Sequence, residues 1–126
     1  MGQRIEHYTD LIVWQRAMDL VDEVYDLARA FPTDERFDLR SQVRRAAVSI
    51  PSNIAEGWGR ASRKEYLHFL SIARGSLYEV ETQMRIAARR QYIRQEEVTI
   101  LLRHTTEIGK MLLALIRSLK ATKPRT

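Results

Sequence analysis

The sequence has no cysteine, three prolines and five glycines, and no apolar run approaching the roughly 20 residues that a membrane-spanning helix needs. Without cysteine there is no disulfide framework and no thiolate-rich zinc site, and the chain suits a reducing cytosol. Charges at Arg4 and Glu6 stand where a signal peptide has its apolar stretch. The expectation is therefore a cytoplasmic protein with no membrane partner. Few prolines and glycines beside a 44% apolar share argue for a compact, regular fold. At 126 residues the chain can bury one core and not two, so we read residues 1–126 as a single domain with flexible ends at 1–9 and 120–126.

Lysine and arginine total 21 against 16 acidic residues, a formal charge of +5. An excess of that size favours a polyanionic partner, although a merely soluble basic protein has the same balance. Arginine heavily outnumbers lysine, and its planar fork suits phosphate and base stacking better than an ammonium does.

Four helical segments account for nearly everything after residue 9. The first runs from about Leu11 to Ala30 and is stopped by Phe31-Pro32, because proline cannot continue a helix and restricts the residue before it. Thr33 or Asp34 can cap the second, which extends to about Gly57 through Pro51. Proline there removes the amide that would bond the Ala47 carbonyl, so a kink is expected, with Ser49, Ser52 or Asn53 assisting the freed backbone. Gly57-Trp58-Gly59 suits a left-handed C-cap. Ser62 and Glu65 form a capping box for the third segment, which runs to about Arg90, and the fourth spans about Gln95 to Leu119. The fold class expected is an all-α, antiparallel up-down four-helix bundle with helix 2 kinked at Pro51.

Helix 1 carries two apolar rows, Leu11/Trp14/Met18/Val21/Tyr25/Ala28 and Val13/Ala17/Leu20/Val24/Leu27/Phe31. Together they cover about 200°, against the roughly 100° stripe that one bundle helix needs. Trp14, Met18, Val21 and Tyr25 are accordingly the expected contact with a second protomer, the alternative being a deeply buried central helix. Gly75 lies inside helix 3, off its core row Tyr66/Phe69/Ala73/Leu77/Val80/Met84/Ala87, at a cost of about 1 kcal/mol relative to alanine. Close approach of another helix is the expected reason.

Glu65 and His68 match the Glu-x-x-His pair of di-iron bundles, but they lie off the core row and the required second pair is absent, so no metal and no cofactor is expected. Arg63 and His68 also resemble, loosely, the arginine-x4-histidine element of HEPN ribonucleases, in which a histidine serves as general base. More extensive is a stripe on helix 3. Arg63, Arg74, Tyr78, Arg85 and Arg89 fall within about 80° of one another, a basic line with an interleaved aromatic. Such a surface can pair phosphates with guanidinium groups and stack bases on tyrosine. Arg44, Arg45 and Arg60 can extend it. The alternative is a solvated face. No major-groove recognition motif is present, so RNA and DNA both remain open as partners.

The run Arg45-Ala46-Ala47-Val48-Ser49-Ile50-Pro51-Ser52-Asn53-Ile54-Ala55-Glu56-Gly57, with Phe69 to Leu77 and the opening Asp10 to Gln15, resembles the four helix bundle protein family. That family includes 23S ribosomal RNA intervening-sequence proteins and the accessory variability proteins of diversity-generating retroelements. The resemblance extends from about residue 10 to residue 118. It implies antiparallel bundles assembled as homopentamers, and for the retroelement members a basic surface that binds nucleic acid and a partner reverse transcriptase. The matching positions include Trp14, Ser49, Pro51, Gly57, Arg60, Phe69, Arg74 and Gly75, and most of the matching positions read as structural. The sequence departs at Gln91-Tyr92, where the family often has glycine before the tyrosine. We expect a noncatalytic oligomer that binds nucleic acid with low sequence specificity; the alternatives are a structural interaction protein without that role and, more distantly, a HEPN-like ribonuclease.

Overall fold

The computed structural model describes residues 4–35 and 38–121. Four helices, α1 (Ile12–Ala28), α2 (Leu39–Trp58), α3 (Arg63–Arg89) and α4 (Gln95–Ala121), account for most of them, and no strand occurs among the described residues. Each helix touches its two neighbours in the ring α1–α2–α3–α4, while the diagonal pairs do not meet. Short connections make those neighbours antiparallel, the expected bundle. The most extensive interface joins α2 and α3.

The core follows the helical period. Val13, Ala17, Leu20 and Val24 of α1, Val43, Ala47, Ile50 and Ile54 of α2, Leu70, Leu77, Val80 and Met84 of α3, and Leu101, Ile108 and Leu112 of α4 belong to one buried cluster. Leu70, absent from the row expected for helix 3, is fully buried, whereas Tyr66 and Phe69 of that row are only half-buried. Thr105 is a buried polar member, satisfied by donating to Glu81 at 2.6 Å.

Several boundaries differ from the sequence reading for identifiable reasons. α1 stops at Ala28, and the chain turns through bonds from the Ala30 and Phe31 amides to the Leu27 and Ala28 carbonyls, which buries Phe31 against Tyr92. Thr33 and Asp34 do not cap α2. They belong to a separate 3-10 turn at Thr33–Glu35, and the N-cap is Asp38, whose carbonyl accepts from the Gln42 amide. Part of the expected flexible leader folds: Tyr8–Asp10 is a 3-10 turn in which His7 accepts from the Thr9 amide and Asp10 accepts from the His7 amide. At the other end α4 includes Lys120 and Ala121.

α2 continues through a buried Pro51 as one helix. Of the side chains expected to assist the freed Ala47 carbonyl, Asn53 instead bonds Ser49, its amide donating to the Ser49 carbonyl at 2.7 Å and to the Ser49 hydroxyl at 2.9 Å. Neither Gly57 nor Gly59 adopts a positive φ, and Gly59 ends α2 in right-handed geometry. Gly57 is instead needed for space, since a Cβ there would lie 2.8 Å from the Phe69 Cβ and 3.0 Å from Tyr66 Cδ1. Among the described residues the left-handed one is Gln91, with φ 63°. Its amide bonds the Ala88 carbonyl at 3.0 Å and the Tyr92 amide bonds the Ala87 carbonyl at 2.9 Å, the Schellman pairing that normally takes glycine. The turn keeps its shape although glutamine stands where glycine is usual.

Candidate nucleic-acid interface

α3 begins where the sequence places it, with the Ser62 hydroxyl accepting from the Glu65 amide at 3.1 Å. It then runs unbroken for 27 residues, roughly 40 Å at 1.5 Å per residue. Arg63, Arg74 and Arg85 recur every eleven residues, three full turns, so they lie on one line about 16 Å apart. Arg85 and Arg89 are exposed and Arg74 is half-buried. The Arg74 guanidinium carbon lies 5.6 Å from the centre of the Tyr78 ring, a cation–π contact that holds the two side chains together. Tyr78 is nevertheless 49% exposed. Of the acidic residues on α3, Glu81 is turned toward Thr105 of α4, and no ion pair joins Arg74, Arg85 or Arg89 to a described carboxylate.

The stripe borders the α3–α4 seam. There Leu67, Ser71, Arg74, Gly75 and Tyr78 meet Ile116 and Lys120 across a groove of about 340 Å³. Helical phase on α3 singles out neither Ser71 nor Gly75 for a site, and Lys120 falls in the stretch that the sequence reading makes a flexible end. Only the extension of α4 beyond Leu119 brings the Lys120 side chain to the groove.

The other three arginines are placed elsewhere. Arg44 and Arg45 border a hollow with Tyr25 and Val48 at the α1–α2 seam. Arg44 stands over the Tyr25 ring at 5.1 Å, and Arg45 donates to Ser41 at 3.1 Å. Arg60 follows the end of α2, ion-paired with Glu56 and 4.8 Å from the Phe69 ring centre. Arg40 also has a local task, donating to the Phe31 carbonyl. So the structure does not join these side chains to the α3 line.

On α1 the two apolar rows separate over most of their length and exchange at the C-terminal end, where Ala28 of the outer row is buried and Leu27 of the inner row half-buried. Val13, Ala17, Leu20 and Val24 are buried, whereas Met18 and Tyr25 remain 42% and 39% exposed. Trp14 and Val21 are half-buried. Together with Tyr8, Val48, Pro51 and Ala55, the residues Trp14, Met18 and Val21 line an apolar groove of about 370 Å³ between α1 and α2. Tyr8 packs edge-on against both Trp14 and Trp58, at 5.4 and 6.4 Å.

A fourth hollow, of about 440 Å³, lies between α1 and α4 and is acidic. Asp19, Glu23, Asp26 and Glu107 line it beside Arg16 and His104. His104 Nδ1 is 2.9 Å from Glu23 Oε1, and no group of three or more described side chains could hold a metal ion. Glu65 and His68 are both on α3, the His68 ring 5.5 Å from that of Phe69. Tyr66 titrates above its ordinary value because burial disfavours the phenolate. No described helix is long and apolar enough to cross a membrane.

The family profile described as 23S rRNA-intervening sequence protein matches residues 9–114. Among solved structures, one of a protein of unknown function from the S23 ribosomal protein family of Bacteroides thetaiotaomicron VPI-5482 is similar in fold, with a TM-score of 0.78 and 25% identity over 84% of this chain and 96% of that one. No curated protein matches.

Proposed function

The chain belongs to the 23S rRNA-intervening sequence protein family, and from that premise we propose that it works as a noncatalytic, basic oligomer that binds nucleic acid with low sequence specificity. The observation that carries this reading is the outward line of α3, on which Arg74, Arg85 and Arg89 are unpaired with described carboxylates beside a half-exposed Tyr78. Arginines aligned along one unbroken helix meet phosphates without reading base edges, so affinity should be electrostatic and strongly salt-dependent. Self-association is supported by the Trp14, Met18, Val21 and Tyr25 face, where large apolar side chains lie open on one seam. A second copy of the chain is the occupant that reading assigns to it, with a ring of five as the expected assembly.

A second reading, an interaction protein whose charge is incidental, is favoured by the arginines already engaged within the chain, Arg44 with Tyr25 and Arg60 with Glu56. Reversing Arg85 and Arg89 to glutamate distinguishes the two. Under the nucleic-acid reading the double variant binds RNA and DNA more weakly across sequences, and the salt slope falls by about one unit, or slightly less, for each phosphate that is no longer neutralised. An unchanged affinity and slope in a protein that remains assembled establishes the second reading. Light scattering tests the assembly: a 14.8 kDa species persisting at tens of micromolar rules it out.

A further inference from the structure

Gly75 is a residue the fold does not use. It sits in the middle of α3, yet a Cβ built on it meets nothing within 4 Å, so the expected close approach of another helix does not occur within the chain. The helix accepts the weaker propensity of glycine, about 1 kcal/mol relative to alanine, without gaining any packing from it. What the missing side chain does leave is a clear stretch of helix surface in the α3–α4 groove, directly beside Arg74 and one turn from Tyr78.

The chemistry of that groove is narrow. Leu67 and Ile116 are its apolar members and Ser71 its neutral polar one, and none of its lining residues is acidic. Two cations enter it from different helices, Arg74 and Lys120, and neither makes an ion pair with a described carboxylate. Arg74 stands over the Tyr78 ring, and Tyr78, 49% exposed as a residue, keeps surface open to a second stacked plane. The α1–α4 cleft, by contrast, is lined by four carboxylates and repels a phosphate.

Resting on the nucleic-acid reading above, we propose that the α3–α4 groove takes one unpaired nucleotide, with its base stacked on Tyr78, its phosphate between Arg74 and Lys120, and its sugar lying over Gly75. A base within a duplex must be unpaired and unstacked before it can stack on Tyr78, at a cost of about a few kcal/mol, whereas a base in a single strand stacks there without that cost. The groove therefore makes the protein prefer single strands, while Arg85 and Arg89 contribute charge that serves single and double strands alike.

Fluorescence anisotropy with a labelled mixed-sequence RNA of about 20 nucleotides, its DNA counterpart and the matching DNA duplex tests this. The expected result is tighter binding of the single strands than of the duplex. Gly75→Leu, which fills the groove, and Tyr78→Ala should each weaken single-strand binding about tenfold, with Tyr78→Phe retaining parental affinity. Lys120→Gln should lower the salt slope by about one unit. RNA bound more tightly than single-stranded DNA assigns the sugar contact to the 2′-hydroxyl, and equal affinities assign recognition to base and phosphate. If Gly75→Leu and Tyr78→Ala bind single strands as the parent does while reversal of Arg85 and Arg89 still weakens binding, the groove inference fails and the broader reading stands. Equal parental affinity for duplex and single strand also overturns the groove inference. A parent that binds none of the three probes overturns both.

Discussion

The two long sides of α3 are built on opposite rules. Toward α2 the packing is close: Gly57 admits Phe69 and Tyr66 at distances no side chain would allow, and the Ser49 and Ser76 hydroxyls meet at 2.8 Å. Toward α4 and solvent, Gly75 faces open space, Tyr78 is half-exposed and two cations share a groove without a carboxylate. Two glycines in helices thus have opposite meanings, one required by the fold and the other left over by it. A helix whose one side is fixed by close packing can hold its other side rigid for a ligand.

Substitutions on the α2 side should be the most damaging. Gly57→Val forces apart helices that already touch, and overpacking of this kind should cost about 2–3 kcal/mol in urea denaturation. Next comes the hydroxyl pair. Ser49→Ala removes the partner of both Ser76 and Asn53 and should cost more than Ser76→Ala, each on the order of 1 kcal/mol. Because Ser76 is buried, the double variant should cost less than the two single effects added, which a double-mutant cycle measures. Additive losses would place the pair outside the seam's polar network. The smallest effect is one of pH. Burial raises the Tyr66 pKa above 10.0, so above that pH an unfolded tyrosine loses its proton before the folded one does, and stability falls as pH rises through the folded value. Tyr66→Phe should remove that part of the alkaline decline, as followed by denaturation midpoints between neutral and strongly alkaline pH.

How far each side can be read from the sequence follows from the same contrast. Packing leaves periodic traces, so the four helices, the Ser62 cap, the buried row of α1 and the passage of α2 through Pro51 are legible. Gly57 is visible as a glycine but reads wrongly as a left-handed cap, because sequence cannot tell a glycine needed for torsion from one needed for space; the torsion lies instead at Gln91. Helical phase also finds the α3 arginines. It cannot show that Arg44 and Arg45 lie at another seam, or that Lys120 closes the groove from α4, since both depend on how the helices pack around one another. The exposed face of α1 is legible for a different reason: an apolar arc wider than one bundle can bury must remain partly open.

The most direct test of the contrast is one variant read in two ways. In Gly75→Leu, leucine is the better helix former and its Cβ meets no neighbour within the chain, so unfolding free energy should rise by about 0.5–1 kcal/mol. In the same preparation the affinity for single-stranded RNA should fall about tenfold. The predicted result is a more stable protein that binds less tightly. A less stable protein would show that Gly75 is a packing residue after all, and a more stable protein with parental affinity would show that the outer side of α3 is merely solvated.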